Sequence, residues 1–303
     1  MAPSSHIKPI GPPDRPLVVI GRFPRILRLQ SEIFDALPDP EALLSEIRTV
    51  TRQADIFTFL ARIGEKKSSY PYRCEAENLA VLRIDSYENW WLRQINDKTR
   101  NMIRKAAKKG VALRVVQFDD DFARGIKAIH DESPLRQGKP FKPYGKDLDT
   151  VKRDQSSFLD RSDFIGAYLG EELVGYLKLV HNGESASIMQ IIAKVSHRDK
   201  APTNALLAKA VEICAGKGIA HLHYGIWGRR TLRDFKVHHD FQCYALPRYY
   251  APLNSRGSVL LKLNFHRKII DRIPGKFLDV LLDLRGKLNA FRYRSKALKT
   301  MGL

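Results

Sequence analysis

The sequence is poor in cysteine, in acid and in long apolar runs. Its three cysteines, Cys74, Cys214 and Cys243, lie far apart and show no paired spacing. That excludes a disulfide framework and a cysteine zinc site, and points to a reducing cytosol. No apolar run reaches the length of a membrane span. The opening residues MAPSSHIKPIGPPDRP lack the apolar core of a signal peptide, so no secretory leader is expected. Acids are few: 33 Asp and Glu stand against 52 Lys and Arg, a net charge of +19. An excess of that size favours polyanionic partners or an anionic membrane surface. Helix-turn-helix, zinc-finger and RRM signatures are missing, which argues against sequence-specific DNA reading.

What is present is a 303-residue chain that is 44% hydrophobic, enough for a sizeable core. The stretch KTRNMIRKAAKKG, Lys98 to Gly110, holds six basic residues and no acid. Extended back to Trp90 it reads as one amphipathic helix. Trp91, Ile95, Met102 and Ala106 form the apolar stripe, and Arg93, Arg100, Arg104 and Lys108 face the other way. Gly110 suits the left-handed residue that ends it. Its outer face is either a solvated surface or the binding face for a phosphorylated substrate or cofactor.

Before this helix, PLVVIGRF reads as a strand, and PDPEALLSEIRTVTRQ as a helix with Asp39 as N-cap and Pro40 at the first position. DIFTFLARI and ENLAVLRI read as strands around the loop GEKKSSYPYRCEA. This part is short for an independent core. After it come a strand (VALRVVQF), a helix opening on acids (DDDFARGIKAIHDES), a basic and aromatic loop (PLRQGKPFKPYGKD) and a helix (DLDTVKRDQSSFLD). Three strands follow, the last two across an Asn-Gly turn. A helix from Thr203, the strand IAHLHYGIW, the helix RRTLRDFKVHH and the strand FQCYALPRYYAPL complete the order. Strands in series feeding a strand–helix–strand crossover predict an α/β (α+β) fold, a mixed sheet with helices packed on it. The domain reading is residues 1–85 as a short N-terminal lobe, 86–254 as the main domain and 255–303 as a basic helical tail.

Several strings carry a resemblance over about residues 85–252. NDKTRNMIRKAAKKGV, FIGAYLGEELVGYLKLV, RDKAPTNALLAKAVEICAGKGIAHLHYG, LRDFKVHHDF and PRYYAPL resemble the GNAT acyltransferase superfamily. The nearest branch is the FemAB/FemX-like one, with relatives often labelled BioF2-like acetyltransferases. The resemblance implies a GNAT-like, mostly antiparallel sheet flanked by helices. FemX-like proteins usually contain two such domains; here the first would be cut down to the lobe before residue 85.

The resemblance also implies a site. GNAT proteins hold the pyrophosphate of coenzyme A on unpaired amides where a strand meets a helix. The matching loop is HRDKAPTNALL, so the amides of Ala201, Thr203 and Asn204 would face phosphate while Arg198 and Lys200 add charge. The loop departs from the family: it has no glycine, and Pro202 removes a donor. His223 is the candidate general base, because imidazole titrates near neutrality; a structural core histidine is the competing reading. A metal held by His221 and His223 would need a third ligand that the sequence does not place, so no metal is expected. Phe235 takes the place of the tyrosine acid of many GNATs, and Lys236 matches the lysine that FemX-like enzymes use to stabilise charge on the reacting carbonyl. Arg136, Lys139 and Tyr144 are candidates to clamp a carboxylate or phosphate on the acceptor, with Arg104 on the basic helix beside them.

The tail from Arg256 holds 12 Lys and Arg against 3 Asp. Its amphipathic pattern suits an anionic membrane surface, RNA backbone or packing on the enzyme body. Three functions compete. The first is N-acyl transfer, acetyl above all, from acetyl-CoA or another acyl-CoA to an amine of a polar acceptor such as a sugar, an amino acid or an envelope precursor. The second is FemX-like aminoacyl transfer from aminoacyl-tRNA. The third is a non-catalytic protein that binds RNA or anionic membrane. The expected location is the cytoplasm, or the inner face of the membrane.

Overall fold

The computed structural model describes residues 16–34, 37, 39–50, 53–61, 63, 70–228, 230–267, 284–291 and 293. In chain order the elements begin with β1 (Leu17–Ile20), β2 (Ile26–Leu29), α1 (Pro40–Val50), β3 (Ile56–Leu60) and β4 (Arg73–Arg83). The short α2 (Tyr87–Asn89), a π-helical turn (Trp90–Gln94), α3 (Asp97–Lys108), β5 (Val111–Val116) and α4 (Asp120–Asp131) follow. Then come the two-residue strands β6 (Leu135–Arg136) and β7 (Lys139–Pro140), α5 (Leu148–Gln155), β8 (Ser162–Leu169), β9 (Glu172–Asn182) and β10 (Ser185–Ala193). A 3-10 turn (Arg198–Lys200), α6 (Pro202–Gly216), β11 (His221–Ile226), α7 (Arg230–His238), β12 (Gln242–Pro252) and α8 (Ser255–Lys262) complete the order. Residues 284–291 are also helical. Among the described residues no helix is long and apolar enough to cross a membrane.

Ten strands hydrogen-bond in the order β1-β2-β3-β12-β4-β11-β10-β9-β8-β5. The β2/β3 and β10/β11 pairings are parallel, whereas β1/β2, β3/β12, β12/β4, β4/β11 and β5/β8 are antiparallel. The expected mixed, mostly antiparallel sheet with helices is the observed one.

The chain divides into two compact units built from interleaved segments. The first takes Met1–Arg100, Leu179–Met189 and Val211–Arg267. Here β12, from the far end of the sequence, lies between β3 and β4. The N-terminal strands therefore need no core of their own: Leu17, Leu27, Leu43, Leu44, Phe57 and Phe59 bury with Tyr249 and Ala251 of β12. The α1 cap forms as its sequence predicts, with Asp39 Oδ1 accepting from the amides of Glu41 (3.1 Å) and Ala42 (3.0 Å). Two expectations need correction. β2 went unread, and the last residues of the expected loop GEKKSSYPYRCEA, from Arg73 on, belong to β4, where β12 supplies ladder partners.

The single helix expected over Trp90–Gly110 is two. Ile95 is extended (φ −89°, ψ 148°), and Asn96 restarts the helix by accepting from the Thr99 amide at 2.9 Å. The break shifts the phase of the stripe, so Trp90 is fully buried and Trp91 only partly. Arg100 does not face solvent as a bare charge. Its guanidinium donates to the carbonyls of Trp91 (2.7 Å) and Ile95 (2.6 Å), capping the π-helical turn, and pairs with Asp97 at 2.8 Å.

The second unit takes Asn101–Lys178, Gln190–Ala210 and Lys268–Leu303. Phe122, Ile126 and Ile129 of α4, Val151 of α5, Phe164 of β8, and Leu173 and Tyr176 of β9 form its core. Asp119 caps α4 through the Phe122 amide at 2.8 Å, and Asp147 caps α5 through Thr150 at 2.7 Å.

Candidate active site

In the first unit the chemistry gathers where β11 meets α7. The ladder between β11 and β4 slips between His223 and Ile226, with Gly225 at φ +60° inside the slip. The alternation of a regular strand fails there: Leu222 and His223 are both buried, and Ile226 is half exposed. The Ile226 carbonyl accepts from Lys236 Nζ at 2.6 Å, and the same ammonium lies 4.7 Å from the Tyr224 ring centre. Lys236 is 2% exposed. Burial holds its pKa down to about 8 and raises that of the Tyr224 hydroxyl. An ammonium has three donors, and among the described residues Ile226 is the one hydrogen-bond acceptor it meets.

The end of α7 that carries Lys236 is anchored by the residues before and at the start of α3. Trp90 Nε1 donates to the His239 carbonyl at 3.2 Å and Thr99 Oγ1 to the His238 carbonyl at 2.9 Å. His239 Nδ1 bonds to the Phe235 carbonyl at 2.8 Å, and the two rings lie tilted at 41° with centroids 4.3 Å apart. Sequence reasoning missed Trp90 and Thr99 as anchors; their signal was a buried-type residue pair out of phase with the stripe read through Trp91.

His223 is not beside Lys236 in this hydrogen-bond pattern. Its Nε2 bonds to Ser187 Oγ, its partner across the β10/β11 pairing. It is 3% exposed, and burial holds its pKa down to about 4. The β10/β11 ladder has Ser185↔His221, Ala186↔Leu222 and Ser187↔His223, and no rung beyond.

In the second unit the HRDKAPTNALL loop closes on itself. Ala201 is left-handed (φ 53°) and buried. Its amide donates to Arg198 O at 3.1 Å and the Asn204 amide to Ala201 O at 3.1 Å. Two of the three amides expected to face phosphate are therefore committed within the turn, which leaves Thr203. Arg198 is exposed, while Lys200 is half-buried and pairs with Asp199 at 3.4 Å.

Arg136 is not an open clamp. Its guanidinium donates to Ala193 O (2.7 Å) and Ile129 O (2.9 Å), lies over the Phe141 ring at 4.8 Å and sits 3.7 Å from Glu132. Burial lowers its pKa, with Arg198 close enough to add repulsion. The structure thus brings Arg136 and Arg198 within each other's field. Lys139, the partner of Arg136 in the β6/β7 pairing, and Tyr144 are both exposed, and Arg104 is exposed on α3, bonded to Asn101 at 3.4 Å.

A buried polar chain in this unit had no signal in the sequence. His130 Nε2 meets Tyr176 OH at 2.8 Å, and Gln190 Oε1 accepts from Tyr176 OH at 2.8 Å and from Gln155 Nε2 at 2.6 Å. Lys178 Nζ donates to Gln155 O at 2.6 Å, where a cation suits the end of α5.

No protein-family model matches the chain, and no curated protein matches it in sequence. Solved structures do match in shape. FemX aligns with a TM-score of 0.58 and 10% identity, over 84% of this chain and 89% of that one. The fold is FemX-like. L-PGS from Bacillus licheniformis shares it, with a TM-score of 0.56 and 13% identity over 82% of this chain and 83% of that one. At this identity the likeness is one of fold alone.

Proposed function

We propose that the protein is an acyl transferase that moves an acyl or aminoacyl group from an activated ester to an amine, with the Lys236 ammonium stabilising charge on the reacting carbonyl. The observation that carries this reading is a buried, oriented ammonium with donors to spare. In a site poor in water a preorganised donor of this kind contributes roughly 3–4 kcal/mol to the transition state. The resemblance to FemX and L-PGS in fold supports the same class of chemistry.

The donor favoured by the geometry is an aminoacyl ester such as aminoacyl-tRNA. A coenzyme A pyrophosphate needs unpaired amides, and those of Ala201 and Asn204 are already bonded. A net charge of +19 suits a polyanionic donor. The acyl-CoA reading keeps one observation in its favour: Arg198 and Lys200 flank the remaining Thr203 amide at the start of α6. Arg136, Lys139 and Tyr144 stay the acceptor-side candidates, with Arg136 acting through the loop it pins. His223 is given no role in proton transfer.

Calorimetry with acetyl-CoA, longer acyl-CoAs and charged tRNA separates the donors. Binding of charged tRNA without acetyl-CoA binding is expected. Acetyl-CoA binding that weakens more than tenfold when Arg198 and Lys200 are both replaced by Ala would restore the acyl-CoA reading. Absence of binding to every donor would remove the enzyme reading.

A further inference from the structure

Two acid-free segments meet in the first unit. Residues 16–30 carry Arg22, Arg25 and Arg28, residues 255–267 carry Arg256, Lys262 and Arg267, and neither contains Asp or Glu. One side of α8 is core: Leu260 and Leu261 bury with Ile26 and Ile56. The other side is bare. Val259 is 54% exposed and Leu263 58%. Arg256, Val259 and Leu263 follow at positions i, i+3 and i+7, which share one helix face.

The apolar surface continues onto the first segment. The Arg256 guanidinium lies 5.1 Å from the centre of the Phe23 ring, and Phe23 meets Phe265 edge-on at 5.9 Å. Phe23 is 57% exposed and Phe265 45%. Phe23 and Phe265 thus stand at Arg256, whose helix face also carries Val259 and Leu263, so four exposed large apolar side chains are grouped around Arg256, with Arg22 and Lys262 exposed as well. Arg256 also lies 3.7 Å from the buried Asp55, and Arg267 pairs with Glu75 at 3.0 Å; Arg22 and Lys262 are exposed cations that make no ion pair among the described residues.

We propose that this patch docks the protein on an anionic lipid bilayer. Phe23, Val259, Leu263 and Phe265 enter the boundary between headgroups and acyl chains, while Arg22, Arg256 and Lys262 lie against lipid phosphate. The combination decides the occupant. A nucleic-acid backbone would use the cations but leave Val259 and Leu263 in water. An ordinary protein partner would cover the apolar side chains but would have to supply acids to Arg22 and Lys262, which pair with none among the described residues. An anionic bilayer satisfies both halves at once, and Arg256 over Phe23 holds a cation at the depth of an inserting ring.

The test uses the full chain and extruded vesicles of phosphatidylglycerol and phosphatidylcholine in equal parts, with pure phosphatidylcholine vesicles as the neutral arm. Co-sedimentation should show binding to the anionic vesicles alone, fading as salt rises above about 0.15 M. A Val259→Ser/Leu263→Ser/Phe265→Ser variant should lose more than tenfold in vesicle affinity, with an unchanged circular dichroism spectrum and melting temperature because all three side chains are exposed. Arg22→Gln and Lys262→Gln should each cost about fivefold, the equivalent of about 1 kcal/mol per cation near a lipid surface. Should the triple variant misfold, Phe265→Trp in the otherwise native chain decides: its emission should shift to the blue on adding anionic vesicles. Equal binding to neutral and anionic vesicles, retention of affinity by a folded triple variant, no blue shift, or the same residues governing RNA binding or self-association without vesicle binding would each overturn the proposal.

Discussion

The Lys236 ammonium stands 4.7 Å from the centre of the Tyr224 ring and 2.6 Å from the Ile226 carbonyl oxygen. No carboxylate is among its partners in the described residues, so its charge is balanced by a π face and a carbonyl dipole alone. A cation so placed is held ready to respond to a new negative charge. Lys236→Met should lower kcat by roughly a hundredfold to a thousandfold, the loss expected for one oriented donor, with little change in KM. Steady-state kinetics with the donor found by calorimetry check this.

The same group sets a pH dependence. Its pKa is about 8 in the folded chain against 10.5 for free lysine. Between those values the unfolded chain binds more protons, so stability should rise with pH from about 8 towards 10.5, while activity that needs the ammonium should fall above about 8. Lys178, also held near about 8 by burial, adds to the stability trend but not to the activity trend. Denaturant melts of Lys236→Met should show a shallower rise, and activity profiles of the native protein should turn down near pH 8.

Three histidines act in the acid range. His130, His223 and His239 are buried and each is held near about 4. Each favours the fold while neutral, so their contribution to stability should be full above about pH 6.5 and fall progressively as pH drops towards 4. His223→Gln should reduce that slope without abolishing activity at neutral pH, which would separate a core histidine from a catalytic base. A loss of turnover as large as that of Lys236→Met would return His223 to the chemistry.

Arg136 joins the end of α4 to the end of β10 through two carbonyls. Arg136→Ala should destabilise the protein by about 2–3 kcal/mol, because charge-assisted bonds to buried carbonyls are lost and the carbonyls are left unsatisfied. Arg136→Lys should recover only part of this, since one ammonium cannot reproduce the guanidinium fork. Urea melts give the difference directly.

Gly257 marks how closely α8 is seated. A Cβ there would stand 1.9 Å from the Asp55 carbonyl oxygen. Asn254 caps the same turn by accepting from the Gly257 amide at 2.7 Å. Gly257→Ala should therefore cost about 3 kcal/mol, the upper range for overpacking, whereas Ser258→Ala beside it should be nearly neutral. Differential melts of the two variants make the comparison.

Local signals in the sequence determined most of the elements. Asp39, Asp119 and Asp147 each sit where an acceptor meets unpaired amides, so the starts of α1, α4 and α5 were legible. Packing of the tail on the body would bury its regularly spaced leucines and isoleucines, and Leu261 is buried in the core with Ile26 and Ile56. Leu263, which follows α8, is exposed. Ile269, Ile270, Leu281 and Leu282 lie outside the described residues.

What the tertiary structure alone decided depends on contacts between residues far apart in the chain. Periodicity cannot show that Ile95 breaks a helix whose stripe looks continuous; Arg100 capping the freed carbonyls stabilises the break. The insertion of β12 between β3 and β4 joins residues about 170 apart, such as Arg248 and Glu77, and no local pattern encodes it. The surroundings of the polar candidates depend on the same kind of contact. Lys236, His223 and Arg136 all read from sequence as charged or titratable groups suited to a site. Burial beside a π face leaves Lys236 with donors to spare, pairing with Ser187 commits His223 to the core, and two backbone carbonyls take up Arg136. A side chain's type sets which bonds it can make, and only its surroundings in the fold determine which of them are already made.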